Sequence, residues 1–281
     1  MKRIAFFDVD GTLCNSSGEV LDSTRQGIKE FRDEGNLAFI CTGRSKPEIL
    51  DSILSVGFDG VIGAGGGYIV IDNEVVSHKT MPEEGVLDVI SFFNQHDIGY
   101  YLESNDGLFG SENCVRKIEE EVRKVTDKEG KSFEEENQKV AWFYELIAHQ
   151  EGRVIDYSHV NKISFINNTV SFEEIDKKFG NEFQMYHSTV AMFGPESGEI
   201  SVKGIDKQVA IEFVLEKLSL TKDQAIVFGD GDNDIPMFNA VGYKIAMANG
   251  TDKLKALANE VTLDAYTNAI ETSLSKKNWL K

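Results

Sequence analysis

Short apolar runs that stop abruptly at polar residues most constrain the fold of this chain. The stretch 3–7 is apolar from residue 4 and ends at Asp8, and a later run covers residues 225–228 and ends at Gly229. Neither run alternates apolar with polar residues, a pattern typical of a strand buried on both faces of a parallel sheet. Similar runs alternate with helix-like stretches along the chain. The sequence therefore predicts an α/β fold with a doubly wound parallel sheet.

The middle of the chain follows a different pattern. Helix-like and strand-like stretches alternate through residues 81–196 in the manner of an α+β unit. The first pattern then returns, with an amphipathic helix at 207–218 before the strand at 225–228. At roughly 150 residues per domain, a chain of 281 residues makes about two domains. We predict a discontinuous core of residues 1–80 and 197–281, with an α+β domain inserted at 81–196.

Charge and cysteine content exclude several classes of protein. The 29 basic and 47 acidic residues give a net charge of −18, which argues against binding to nucleic acid or to a membrane surface. No apolar run is long enough to span a bilayer. The apolar run after residue 3 is too short for a secretory signal, so we expect a cytoplasmic protein. Cys14, Cys41 and Cys114 fit neither a disulfide framework nor a zinc site.

Carboxylates follow two of the predicted strands. Asp8 and Asp10 follow the first strand, and Asp230 and Asp234 follow the strand at 225–228. The carboxyl ends of strands in an open α/β sheet line the ligand crevice, so these four side chains converge there. They repel each other unless a cation lies between them. Oxygen ligands without histidine or cysteine suit Mg²⁺, which binds one or two carboxylates together with a substrate phosphate.

Each motif has a simpler structural interpretation when it stands alone. Asp-Gly pairs such as Asp10-Gly11 are common in turns, and the segment 229–234 resembles a calcium-binding loop. The calcium interpretation fails because position 241, where such a loop needs glutamate, holds valine. The glycines at 63–67 do not complete a dinucleotide fingerprint, since Tyr68 stands where the last glycine belongs. Only the combination and order of the motifs indicates a specific chemistry.

Taken in series, the motifs resemble those of the haloacid dehalogenase superfamily. They are Asp-Val-Asp-Gly-Thr at 8–12, Thr-Gly-Arg at 42–44, Lys207, and Gly-Asp-x-x-Asn-Asp at 229–234. The resemblance implies a Rossmann-like core. The long stretch between the second motif and Lys207 leaves room for a large inserted cap, as in the Cof-like phosphatases with an α+β cap of class C2 (C2B). The preceding Gly198-Glu199-Ile200 favours Lys207 over Lys203, although Gln208 stands where a glycine is common.

The resemblance also implies a role for each motif residue. Asp8 is the expected nucleophile, which attacks phosphorus to give an aspartyl-phosphate. Asp10 is the expected general acid and base, and Lys207 balances the charge of the phosphoryl group. The residues expected to contact the phosphate are Val9, Thr42, Gly43, Arg44, Lys207 and Asn233. The expected Mg²⁺ ligands are Asp8, Asp10 (through its backbone carbonyl), Asp230 and Asp234.

Some alternatives stay open at this point. Arg44 either contacts phosphate or forms a surface ion pair. The expected function is a Mg²⁺-dependent phosphatase, a monomer or homodimer, acting on a small phosphorylated metabolite such as a sugar phosphate, a nucleotide or a phosphorylated cofactor. A phosphotransferase or phosphomutase of the same superfamily is the nearest alternative. A non-catalytic metabolite-binding protein is a third, but it would be expected to lose the nucleophile or a metal ligand, and every motif is intact here.

Overall fold

The computed structural model describes residues 2–15, 18–150, 152–188 and 190–276. Within these ranges the chain forms two compact units. The first comprises residues 2–44, 49–78 and 205–276, and the second comprises residues 45–48 and 79–204. Each unit has a β-sheet and a buried apolar core of its own.

The helices and strands follow one another in three stretches. Before the insertion they are β1 (Ile4–Phe7), α1 (Asp22–Asp33), β2 (Leu37–Cys41), α2 (Asp51–Leu54), β3 (Gly60–Gly63), β4 (Tyr68–Ile71) and β5 (Glu74–His78). Within the insertion they are α3 (Glu83–Gln95), β6 (Gly99–Ser104), β7 (Gly107–Gly110), α4 (Cys114–Glu129), α5 (Phe133–Gln138), α6 (Ala141–Ala148), β8 (Val160–Ile166), α7 (Phe172–Phe179), β9 (Gln184–His187) and β10 (Gly198–Ser201). After it they are α8 (Lys207–Lys217), β11 (Ala225–Gly229), α9 (Ile235–Ala240), β12 (Tyr243–Ala246), α10 (Asp252–Leu257), β13 (Glu260–Val261) and α11 (Ala269–Lys276).

The sheet of the first unit has the strand order β13-β12-β11-β1-β2-β3-β4-β5. The strands from β13 to β3 pair in parallel, and β4 and β5 are antiparallel additions at one edge. Every residue of β1 and β11 is buried, because helices cover both faces of a parallel sheet. Phe7 and Phe228 pack into one core cluster, and Phe6 and Val227 pack into the other. The predicted parallel α/β core is confirmed.

The register of the central strands determines which polar residues meet. Phe7 lies opposite Phe228 on one side and opposite Ile40 on the other. Strands β1, β2 and β11 therefore end side by side, and the residues that follow them emerge at one edge of the sheet. This edge carries Asp8 and Thr42.

The second unit contains an antiparallel sheet with the order β7-β6-β8-β10-β9. Apolar side chains of one face, including Phe165 and Ile200, pack against Phe93 of α3 and Ile175 of α7. Period-two alternation places residues such as Glu103 on the opposite face. In the described part of the chain, no helix has the length and apolar character needed to cross a membrane.

The predicted end of the insertion is wrong by several residues. Residues from 197 onward were expected in the core, but Gly198–Ser201 pairs with both β8 and β9, so the second unit extends to residue 204. The physical reason is packing, since a Cβ atom at Gly198 would collide with Phe165 and Phe172 of the second core. Residues 45–48 also belong to this unit, which the sequence did not indicate.

Local signals in the first unit are correct for turns and less reliable for helix ends. The strand-like stretches at 68–71 and 74–77 predict a hairpin, which is confirmed, with Asp72 and Asn73 at φ 50° and 66° in the turn between β4 and β5. The spacing of Ser23 and Gln26 predicts a helix start near Ser23 with a capping box, and of these two features only the capping box is wrong. Helix α1 begins one residue earlier, after an extended Leu21 that provides no side-chain cap.

Candidate active site

Asp8 and Lys207 form the buried centre of the site in the first unit. Asp8 follows β1 and is 4% exposed, and its backbone N–H continues the sheet ladder to the carbonyl of Phe228 at 3.0 Å. Lys207 is the first residue of α8, and its Nζ donates to Asp8 Oδ1 and Asp234 Oδ1, each at 2.7 Å. Lys203 instead donates to two backbone carbonyls of the second unit. The structure thus brings Lys207, and not Lys203, to the predicted nucleophile.

The turn after β11 is held together by Asp234. This residue is fully buried, and its Oδ2 accepts hydrogen bonds from the backbone N–H groups of Asp230 at 2.9 Å and Gly231 at 3.1 Å. Hydrogen bonds to an ionised carboxylate are stronger than neutral ones, so they fix the turn. A Cβ atom at Gly229 would lie 2.7 Å from Asp234 Oδ2, which explains glycine at that position. Asp234 therefore positions both Lys207 and Asp230.

Three of the four carboxylates that the sequence predicts to converge do so, and the side chain of Asp10 is not among them. Each of Asp8, Asp230 and Asp234 offers an oxygen, and these oxygens lie within 4.8 Å of one another. Lys207 supplies one positive charge to this group. The donor set consists of hard oxygens and leaves negative charge in excess, so it fits a divalent cation such as Mg²⁺.

The electrostatics of the site also favour added positive charge. Burial, followed by the charge of Asp234, raises the pKa of Asp8 well above its usual range, although Lys207 acts in the opposite direction. Burial and then Asp234 raise the pKa of Asp230 to about 6. Burial lowers the pKa of Lys207, but the two carboxylates beside it raise the value further, and the net shift is upward. Lys207 is therefore protonated at physiological pH.

Asp10 lies apart from this group of carboxylates. Its side chain is 65% exposed and forms a two-point ion pair with Arg44, from Nε to Oδ2 at 2.9 Å and from Nη2 to Oδ1 at 2.6 Å. The Asp10 carboxyl group is therefore accessible to solvent. The partner of Arg44 in this ion pair is thus the predicted general acid itself.

The other predicted phosphate contacts differ in exposure. Thr42 is buried, and its hydroxyl accepts the backbone N–H of Arg44 at 3.1 Å. The side chain of Val9 is buried in a core cluster, so only its backbone is available to a ligand. Gly43 is half-buried, and Asn233 is exposed beside Asp234.

Sequence analysis missed several residues that shape the site. Gly11 has φ +76°, and a Cβ atom there would collide with the carboxylate of Asp230. Thr12 Oγ1 donates to Asp230 Oδ1 at 3.4 Å. Asn249 Nδ2 donates to the carbonyl of Gly11 at 2.8 Å, and its Oδ1 accepts the N–H of Ala265 at 3.0 Å. Gly11 and Thr12 stand beside the Asp pair in the sequence, whereas no sequence signal marks Asn249.

Comparison with known proteins tests the family suggested by these motifs. The sequence profile of haloacid dehalogenase-like hydrolases matches residues 5–274. The chain belongs to this family.

Relatives of this haloacid dehalogenase-like hydrolase are similar over nearly their whole length. A 5-amino-6-(5-phospho-D-ribitylamino)uracil phosphatase of Bacillus subtilis, YcsE, is 26% identical over 92% of this chain and 89% of its own. A phosphoglycolate phosphatase of Methanopyrus kandleri is 25% identical over 94% of this chain and 92% of its own. The solved structure of the subclass IIB sugar phosphatase BT4131 has a TM-score of 0.71, with 19% identity over 99% of this chain and 100% of that one.

These comparisons confirm the family and the fold expected from the sequence. They also make this hydrolase an enzyme of the phosphatase class rather than a non-catalytic binding protein. The substrates in the relatives' names differ from one another, so the names select no single metabolite.

Proposed function

We propose that this hydrolase is a Mg²⁺-dependent phosphatase, acting as a monomer or homodimer, that cleaves small organic phosphate monoesters through an aspartyl-phosphate on Asp8. The substrate class includes sugar phosphates, nucleotides and phosphorylated cofactors. One observation carries the proposal: three carboxylates converge within 4.8 Å, and Lys207 contacts two of them. This arrangement supplies a nucleophile, a cation site and a fixed positive charge in one place.

Asp8 and Asp10 perform the chemistry in two steps. In the first, a carboxylate oxygen of Asp8 bonds to phosphorus, the ester P–O bond breaks, and the leaving oxygen takes a proton from the Asp10 carboxyl group. In the second, a water oxygen attacks phosphorus while the Asp10 carboxylate accepts its proton. The bond between Asp8 and phosphorus then breaks, which releases phosphate and restores both side chains.

Charge balance is the task of the residues around Asp8. Mg²⁺, held by Asp8, Asp230, Asp234 and the backbone carbonyl of Asp10, would neutralise charge on the phosphoryl oxygens. Lys207 has three N–H donors, and two are used by Asp8 and Asp234, so the third is available to a phosphoryl oxygen. Thr42, Gly43 and the backbone of Val9 complete the proposed phosphate contacts, and Asn233 orients the turn that carries Asp230.

Hydrolysis of 4-nitrophenyl phosphate and glycerol 2-phosphate, with Mg²⁺ and with EDTA, tests the proposal. We expect release of phosphate from both esters only with the metal. Asp10→Asn should lose most activity on the alkyl ester, on the order of 100-fold, and far less on the aryl ester, whose departure needs little protonation. Asp232→Asn is the matched control, since Asp232 is exposed and pairs with Thr251 and Lys253.

Two outcomes would contradict this assignment. Equal losses on both esters in Asp10→Asn would remove the acid role, and metal-independent turnover would remove the cation. Mass spectrometry of the products separates hydrolysis from phosphotransfer. Phosphate transferred to an added sugar or alcohol, rather than released, would make the enzyme a phosphotransferase.

A further inference from the structure

The turn Ser45–Glu48 lies between the two units in the chain. It follows Thr42 and Arg44 of the candidate site directly, yet its four residues belong to the second unit. The chain returns to the first unit at Ile49, whose side chain is buried in a core cluster of that unit. The peptide bond between Arg44 and Ser45 therefore connects this part of the candidate active site directly to the second unit.

The Ser45–Glu48 turn is internally rigid. Glu48 Oε2 accepts two hydrogen bonds from Ser45, from the backbone N–H at 2.8 Å and from Oγ at 2.6 Å, and the Glu48 N–H donates to the Ser45 carbonyl at 3.0 Å. Both side chains are buried. Pro47 inside the turn fixes one further backbone angle. These constraints make the four residues move as one body rather than as a flexible link.

Packing and charge hold the turn within the second unit. It contacts α6 and β7. Burial lowers the pKa of Lys162, but Glu103, Glu199 and then Glu48 raise it, so the charge of Glu48 is attracted to this buried ammonium. Lys162 Nζ lies 3.3 Å from Glu103 Oε2 and 3.0 Å from Glu199 Oε2. Buried carboxylates need such a cation, so Lys162 stabilises the surroundings of the turn.

On the other side of the peptide bond, Arg44 is held by the first unit. Its carbonyl accepts the N–H of Ala64 at 2.8 Å, and its N–H donates to Thr42 Oγ1 at 3.1 Å. Its guanidinium forms the two-point pair with Asp10. Consecutive Cα atoms are about 3.8 Å apart across a trans peptide, so a displacement of Ser45 by more than about an ångström also moves Arg44.

We propose that the Ser45–Glu48 turn is the element through which the second unit sets the position of Arg44, and thereby the orientation of the Asp10 carboxyl group. Glu48 is the positioning residue, because it closes the turn through Ser45. This inference rests on the proposed function, in which Asp10 protonates the leaving group. It adds that the efficiency of this protonation depends on a residue that contacts neither the substrate nor the metal.

Leaving-group dependence tests the role of Glu48. Glu48→Ala removes the acceptor of both Ser45 hydrogen bonds, and Glu48→Gln retains an acceptor oxygen. We expect Glu48→Ala to lower kcat on glycerol 2-phosphate about tenfold and kcat on 4-nitrophenyl phosphate less than about threefold, with KM unchanged. Glu48→Gln should recover most of the lost activity. Glu84→Ala, at an exposed position of α3, serves as the control and should leave both rates unchanged.

The two esters separate positioning from mere folding. A variant that is partly unfolded loses the same fraction of activity on both, whereas a misplaced general acid affects only the poor leaving group. Equal losses on both esters, or the same pattern in Glu84→Ala, would overturn the inference while leaving the proposed function intact. If the unmodified enzyme with Mg²⁺ hydrolysed neither ester, the proposed function would fail and the inference with it.

Discussion

Replacing Lys207 by methionine gives the sharpest test of how the buried charges of the site depend on one another. The Lys207 ammonium lies 2.7 Å from both Asp8 and Asp234 and is almost fully buried. Methionine matches much of its length and apolar volume but has no charge. The substitution therefore leaves two buried carboxylates without their shared cation while changing the packing little.

The structure gives the size of the expected effect. Breaking a buried ion pair by removing one partner costs about 3–5 kcal/mol, because the remaining charge is desolvated and unpaired. At about 2–4 °C per kcal/mol for a chain of this size, the melting temperature should fall by about 6–20 °C. Lys203→Met is a matched control, since Lys203 is exposed and donates to two backbone carbonyls. It should change stability by less than about 0.5 kcal/mol.

Urea unfolding in EDTA above pH 8, where the Asp8 carboxyl group is ionised, measures the effect by circular dichroism without contribution from a metal. We expect Asp8→Asn combined with Lys207→Met to be less destabilised than the sum of the single variants, by about 1 kcal/mol or more, because the amide removes one of the unpaired charges. A loss below about 1 kcal/mol in Lys207→Met, or strict additivity in the double variant, would refute this account of the site.

Four further expectations concern the same residues. Asp8→Asn should abolish turnover while keeping the fold, since the amide has the shape of the carboxylate without its nucleophilic charge. Activity within about tenfold of the parent enzyme would contradict the assignment of Asp8 as the nucleophile. In a phosphate-release assay with Mg²⁺, added Ca²⁺ should inhibit the enzyme, because Ca²⁺ prefers more ligands at longer distances and can bind both oxygens of Asp8. Full turnover with Ca²⁺ alone would exclude this coordination. Gly11→Ala should raise the Mg²⁺ concentration needed for half-maximal activity about tenfold, because its Cβ displaces the carboxylate of Asp230. Gly18→Ala is the control, because Gly18 has the same φ of +76° but open space around it, and this variant should not change the Mg²⁺ requirement. Burial raises the pKa values of Asp8 and Asp230, so in EDTA the folded chain holds protons that the unfolded chain releases. This contribution to stability should therefore increase as pH falls from about 8 towards 4, and it should be smaller in Asp8→Asn. Urea unfolding that showed no difference between the two proteins across this range would argue against this account.

The parallel core could be predicted from sequence because its signals are local. Strands such as β1 and β11 are continuous apolar runs, and the polar residues of the site follow them directly. Parallel strands bring their ends together at one edge of the sheet, so proximity of Asp8 to Asp230 followed from the fold class alone. The role of Lys207 could be inferred only from the order of the motifs, since a lysine at the start of a helix has no signature of its own.

Features that depend on distant partners could not be predicted. The glutamate-rich stretch 119–139 predicts a solvated helix face and loop, but Glu121 within it is 5% exposed and accepts hydrogen bonds from Asn168 and Lys124. The sequence also predicts one helix with Pro47 in its first turn that runs to about Val56. Instead a short 3₁₀ turn over Lys46–Glu48 ends, and α2 starts only at Asp51. In both places a buried polar contact, invisible in the local pattern, decides the outcome.

The place of β1 in the sheet has a consequence for how the chain is made. β1 pairs on one side with β2, which follows soon after it, but on the other side with β11, which is synthesised roughly 220 residues later. At about 5–20 residues per second, the ribosome leaves one edge of this fully apolar strand without its partner for about 10–40 s. An unpaired strand edge is a template for aggregation. Slower synthesis or high expression should therefore cost this protein more yield than a chain whose central strands are neighbours in sequence.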